Sequence, residues 1–239
     1  MGTKLFTLIL LISLVYTVHG QDASSSTDDD FYYPCQPQDN VNCIRNYFAS
    51  TWRCKRVSHE DGVGIPSRSL LKSYVPTVNL TASSESDIYT FYGSKVTAFY
   101  VNRKTNNLVL SVDFDGINKN STLTTFVVNQ RGREPAVVSD YLNETYSVEL
   151  TGVIPFRGRF GLKGSVVTVY NKNGIIPFDV GPNLITSSDP AISAMFAGLV
   201  GDIPSALQQL LLTKGPFFFY TYVQNYICDF GFKYTGWLV

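Results

Sequence analysis

The chain has 239 residues, 19 of them basic and 19 acidic, so its formal net charge at pH 7 is +0. Only 16% of residues are charged, against 44% hydrophobic and 14% aromatic. That balance excludes a polybasic nucleic-acid binder, which needs clustered Lys and Arg to displace counterions, and a disordered chain, because the apolar surface suffices to offset ordering entropy.

Residues 1–20 read as a secretory signal peptide: Lys4 supplies the positive start, Leu5 to Val18 an apolar run, and Gly20 a small residue at the cleavage point. A signal anchor is the alternative, but the run is shorter than the about 20 apolar residues of a membrane span. No later segment reaches spanning length without polar interruption, so stable membrane insertion is not expected. Residues 21–34 form a polar, acidic tail in which Asp28, Asp29 and Asp30 are solvated rather than a calcium ladder.

Secretion makes two disulfides the expected use of the four cysteines. Three pairings are possible. Cys35 with Cys43 and Cys54 with Cys228 is favoured, because the first closes a small loop and the second ties the start of the chain to its end. In a chain-entropy treatment the long loop is worth roughly 5 kcal/mol. A zinc site is the rival reading, but the sequence has neither a CxxC motif nor a histidine cluster. Sequons at Asn79, Asn120 and Asn143 fit the same extracellular address and require each Asn to face water.

Between the cysteines, Ile44, Tyr47, Phe48 and Trp52 recur at helical spacing and predict a short amphipathic helix. Residues 55–68 form a loop containing Gly62, Gly64 and Pro66. From about 75 to 180 the period becomes two. Val96, Ala98 and Tyr100 alternate with Thr97, Phe99 and Val101. Leu108, Leu110, Val112 and Phe114 alternate with more polar neighbours, which predicts a strand with one buried face. The polar stretch 102–107 joins these runs as a hairpin loop. Further strands are expected at Leu123–Val128, Tyr146–Pro155 and Val166–Tyr170, separated by Asn- and Gly-containing turns and assembled into a long antiparallel sheet. Gly158, Gly161 and Gly164 mark bends or bulges.

In the last quarter Ser188-Asp189-Pro190 starts a helix. The stripe Ile192, Met195, Phe196, Leu199, Ile203 continues through Ala206, Leu207, Leu210 and Leu211, with a kink or restart at Pro204. After Gly215-Pro216, residues 217–227 again suit a helix, although a buried strand fits Phe217–Val223 as well. Asp202 is the only charge between Pro190 and Leu212, so this helix must be covered on most sides, and the sheet is the available cover.

Catalytic patterns are missing. Outside the leader the only histidine is His59, in a Gly-rich loop. No GxSxG elbow, HExxH, phosphate loop or dinucleotide fingerprint occurs. Asp113 and Asp115 lack the distant partner that a glycosidase pair needs. The expectation is a protein that is not an enzyme and uses neither cofactor nor metal.

Pro34-Cys35, Asp39 and Cys43-Ile44, then a short helix and Gly64-Ile65-Pro66, resemble the insect haemolymph juvenile hormone-binding and takeout-like proteins. The run from Gly93 to Tyr100, then Leu108–Ile117, looks like that family's next strand pair. Tyr146–Gly161 is similar to its central strand and Gly-bearing bend. The resemblance implies an α+β fold of the tubular lipid-binding type, a long, strongly curved antiparallel sheet wrapped around an apolar C-terminal helix. Residues 35–239 then make a single lipid-binding-like domain. It also implies a secreted carrier whose partner is a small hydrophobic molecule, a juvenile hormone-like terpenoid or fatty acyl compound, held in an apolar tunnel. The candidate lining is Phe48 and Trp52 from the first helix, Phe196, Leu199 and Leu210 from the long helix, and Phe218, Tyr222 and Tyr226 near the end. The alternative is a secreted glycoprotein with a filled core acting in extracellular recognition, in which these side chains pack solid.

Overall fold

The computed structural model describes residues 30–51, 64–67, 71–84, 86–155, 164–174 and 176–228. Residues 1–29, with the expected signal peptide, and Trp52, Cys54, His59, Gly158 and Gly161 lie outside them. In chain order the strands are β1 (Phe31–Tyr32), β2 (Ile65–Ser67), β3 (Leu71–Val75), β4 (Leu80–Ser84), β5 (Asp87–Asn102), β6 (Asn107–Val128), β7 (Ala136–Pro155), β8 (Val166–Asn171) and β9 (Phe178–Val180). The helices are α1 (Val41–Thr51), α2 (Pro182–Ile185), α3 (Pro190–Gly201) and α4 (Ile203–Tyr222), which continues into a π-helical turn, Val223–Ile227.

Among the described residues the nine strands belong to one antiparallel sheet that does not close on itself. β6 is its axis. On one side it pairs with β5 and then, where β5 begins, with β4; on the other it pairs with β7 along nearly its whole length. β8 and β9 add to the far side of β7. The hairpin expected at residues 102–107 joins β5 to β6, with Asn106 in the left-handed region at φ 53°.

The separate strands expected from the turn-like stretch around Gly116–Ser121 turn out to be one strand of 22 residues. Register shifts between Phe114 and Ile117 and between Ser121 and Thr124 absorb that stretch as bulges. Bulges bend a strand and increase its twist, so they curl the sheet without ending it. β7 alternates buried and outward residues along most of its 20 positions, as expected for a sheet with one face covered.

The concave face is covered by helices. α1 is capped by Asn40, whose side-chain oxygen accepts from the Cys43 amide at 3.1 Å, and it buries Ile44 and Phe48 completely. α3 starts where Ser188-Asp189-Pro190 predicted, with the Asp189 carboxylate accepting from the Ala191 and Ile192 amides. The chain bends by 97° between α3 and α4, and Pro204 falls in the first turn of α4. Pro216 lies inside α4 without ending it. The aromatic run at 217–222 is therefore helix and not strand. Phe218, Phe219 and Tyr222 pack against the inner face of the sheet, so packing decides over strand propensity.

Two apolar clusters fill opposite ends of the concave face. One gathers Phe48 of α1, Phe99, Leu110, Phe114 and Leu150 of the sheet, and Phe218, Phe219 and Ile227 at the end of the chain. The other gathers Leu80, Phe126, Val128 and Leu142 of the sheet with Leu184, Ile192, Met195 and Ala206 of the helices. Gly152 permits α4 to lie close against the sheet: a Cβ there would run into the Phe219 ring. Cys35 and Cys43 form a disulfide. Cys228 is also disulfide-bonded, and Cys54, its expected partner, lies outside the described residues. Among the described residues no single helix is long and apolar enough to cross a membrane.

Candidate functional site

A cavity opens in the second cluster, between α3 and α4 on one side and the β3, β4, β6, β7 and β9 end of the sheet on the other. Counted together with the solvent-open space at its mouth, the unfilled volume is about 830 Å³. Val75, Leu80, Phe126, Leu142, Val180 and Leu184 supply much of the apolar wall, and Phe196, Leu199, Ile203, Ala206 and Leu210 face them from the helices.

One end of this cavity is polar. Lys119, Glu144 and Lys214 line it together with Ser84 and Thr124. The sheet register puts Tyr89 opposite Lys119 and Lys119 opposite Glu144, so three inward side chains on adjacent strands form a single row. Asp87 sits one inward position along, opposite Ser121. Lys214 reaches the row from α4. All four charged groups are nearly inaccessible: Asp87 1%, Lys119 2%, Lys214 3% and Glu144 6%.

The charges balance, two against two. The Lys214 ammonium donates to both oxygens of Glu144, at 2.9 and 2.7 Å, and to the Tyr146 hydroxyl at 2.6 Å. Lys119 Nζ lies 3.2 Å from Glu144 Oε2 and 3.7 Å from Asp87 Oδ1. The Tyr89 and Ser84 hydroxyls both donate to Asp87 Oδ2, at 2.8 and 2.9 Å, while Asp87 Oδ1 accepts no hydrogen bond. Burial pushes the Glu144 carboxyl up, but the attraction of Lys214 and then of Lys119 outweighs it and brings it down to about 2. Burial also lowers Lys214, and Glu144 recovers only part of that because Lys119 stands beside it. One carboxylate thus serves two ammoniums. Burial, and then the nearby carboxylates Asp87 and Glu144 respectively, push Tyr89 and Tyr146 well up, so both phenols keep their protons.

The structure distributes the expected lining residues over two places. Phe196, Leu199 and Leu210 line the cavity. Phe48, Phe218, Tyr222 and Tyr226 belong to the other end of the concave face, in a continuous aromatic packing. There Phe48 stacks on Phe99 at 6.0 Å, Phe218 meets Tyr146 at 5.0 Å, and Tyr222 stacks on Tyr226 at 5.3 Å. Trp52 lies outside the described residues. The polar row was not anticipated, yet its signal is present in the sequence. Asp87, Lys119 and Glu144 each stand two residues from an inward aromatic or aliphatic side chain, namely Tyr89, Ile117 and Tyr146, and so fall on the buried face.

The sequon asparagines lie away from the cavity. Asn79 is exposed at the end of a 3-10 turn, with φ 51°. Asn120 is exposed, Asn143 is half-buried, and the two are register partners on the outer face of β6 and β7. Among the described residues no group of three or more His, Cys, Asp or Glu side chains is placed to hold a metal ion.

A family description, Fibroin P25, matches residues 31–232. No curated protein matches the sequence. Among solved structures the chain is similar to Takeout 1 of Epiphyas postvittana, with a TM-score of 0.51 and 8% identity, covering 78% of this chain and 91% of that one. At that identity the likeness is one of fold: an open antiparallel sheet with a C-terminal helix, of the tubular lipid-binding type. The resemblance to takeout-like proteins therefore holds for the architecture, whereas the family matched by sequence is Fibroin P25 and not that of the hormone binders.

Proposed function

Given that the chain belongs to the Fibroin P25 family, has a takeout-like fold and carries disulfides suited to an oxidising compartment, we propose that it is a secreted carrier of a small hydrophobic molecule. One observation supports this above the others: the cavity between the helical bend and the sheet end is lined mainly by aliphatic and aromatic side chains with a few polar groups at one end, the make-up of a ligand site. Its lining of Val, Leu, Ile, Ala and Phe side chains suits an acyl or terpenoid chain. Phe196, Leu199 and Leu210 are the lining residues of this reading. Phe48, Phe218, Tyr222 and Tyr226 act as the rigid half that holds the sheet curled.

The experiment is native mass spectrometry of the secreted protein, followed by solvent extraction. A bound lipophilic molecule released on unfolding supports the carrier reading; repeated recovery of protein without cargo, and without uptake of lipid probes, would overturn it. A second reading, a secreted glycoprotein acting in extracellular recognition, draws on the solid packing of the aromatic half, and it predicts that second result.

A further inference from the structure

We infer that the cavity selects an uncharged, oxygen-bearing head group, an ester, ketone or alcohol on a long apolar chain, and that Lys119 donates a hydrogen bond to it. The inference rests on the carrier reading above and specifies its cargo.

The donor count points to Lys119. An ammonium carries three N–H donors. Those of Lys214 are all committed, to the two oxygens of Glu144 and the hydroxyl of Tyr146. Lys119 has only carboxylate oxygens near it among the described residues, one at 3.2 Å and one at 3.7 Å. At least one of its protons is therefore unclaimed, on a side chain that is 2% exposed and lines the cavity. Two of the hydroxyls that line the cavity with it are already committed as donors. Ser84 donates to Asp87, and Thr124 donates to Ser121.

The charge count chooses the kind of acceptor. Lys119 and Lys214 balance Asp87 and Glu144, so the polar end is neutral before cargo arrives. A carboxylate head would add a third buried anion against two cations, and an uncompensated charge is strongly disfavoured away from water. A plain hydrocarbon would leave the Lys119 donor unmet, which is also unfavourable. A neutral oxygen satisfies the donor and keeps the balance.

The test uses the full secreted chain loaded with the neutral fluorescent probe N-phenyl-1-naphthylamine and displaced by dodecane, 1-dodecanol, methyl laurate or laurate near neutral pH. The ester and the alcohol are expected to displace the probe at concentrations about tenfold or more below those of the alkane and the carboxylate. Asp87→Asn keeps an acceptor for Ser84 and Tyr89 but leaves one positive charge in excess, so laurate should gain about tenfold relative to the ester. The charge-neutral double variant Lys119→Met/Asp87→Asn should take up the probe and lose the preference for ester over alkane. Equal displacement by all four compounds, or an ester preference that survives in the double variant, would overturn the inference while leaving the carrier reading intact. Failure of the wild-type protein to take up the probe at all would remove the carrier reading, and this inference with it.

Discussion

Replacing Glu144 with Gln tests the buried charge row. The carboxyl is held at about 2, against an ordinary 4.5, mainly by Lys214. Because the folded value lies below the unfolded one, the stabilisation is fully present above pH 4.5 and is lost as pH falls toward 2. Its size is on the order of 3 kcal/mol, at 1.36 kcal/mol per pH unit. At neutral pH, Glu144→Gln leaves two buried ammoniums facing only Asp87, and breaking such a pair costs about 3–5 kcal/mol. Urea denaturation at pH 7 and at steps down to pH 3 measures both effects. The variant should be less stable by that amount at pH 7, and the gap to wild type should narrow on acidification. Glu149→Gln serves as the control, since among the described residues Glu149 accepts from the exposed Thr97 hydroxyl alone, and its change should stay within about 0.5 kcal/mol. The double variant Glu144→Leu/Lys214→Met removes the pair as a unit and should recover most of the loss. A Glu144→Gln variant within about 1 kcal/mol of wild type, with an unchanged acid profile, would refute the reasoning.

The two halves of the concave face should respond differently to truncation. Phe218 is completely buried among Tyr89, Tyr146 and Phe217, so Phe218→Ala should cost about 3–5 kcal/mol by chemical denaturation. Leu210 borders existing empty space, so Leu210→Ala should cost less than about 2 kcal/mol, because fewer packed neighbours are lost. Gly152→Ala places a methyl against the Phe219 ring and should lower stability by about 1–3 kcal/mol through overpacking, read from the same denaturation curves. Peptide mapping without reduction should link the Cys228 peptide to that of Cys54; a link to any other cysteine would contradict the expected pairing.

Local signals in the sequence located the elements well where one segment decides its own structure. The spacing of Ile44 and Phe48 identified α1, the polar stretch at 102–107 identified the hairpin, and Ser188-Asp189-Pro190 identified the start of α3. Two features depended on distant partners and were not read. The polar segment at 116–121 looks like a turn in isolation, but β5 and β7 pair with it on both sides and hold it extended. Gly215-Pro216 looks like a break, yet α4 runs through it with Gly215 packed close to Val169 of β8.

The polar end of the cavity was hidden for a related reason. Asp87, Lys119, Glu144 and Lys214 are far apart in sequence, and only the register Tyr89–Lys119–Glu144 brings three strands into line beneath α4. A charged residue at an inward position was visible on each strand separately. That the positions fall at one level was not, because register is a property of strand pairs. The apolar lining from α3 and α4 was partly legible, since Phe196, Leu199 and Leu210 lie on a helical stripe that nothing charged interrupts. Which part of the concave face stays hollow was beyond sequence, as apolar composition is the same for a packed core and a lined cavity.

The most direct measurement is uptake of a neutral fluorescent probe by the wild-type protein and by Ala206→Phe. Ala206 is 4% exposed and lines the cavity from α4, so the added ring occupies the hollow where cargo would lie. Saturable uptake by the wild type, abolished in a variant that unfolds at the same or higher urea concentration, is the predicted result. Equal uptake by both proteins would mean that the molecule carries its cargo elsewhere, contradicting the account.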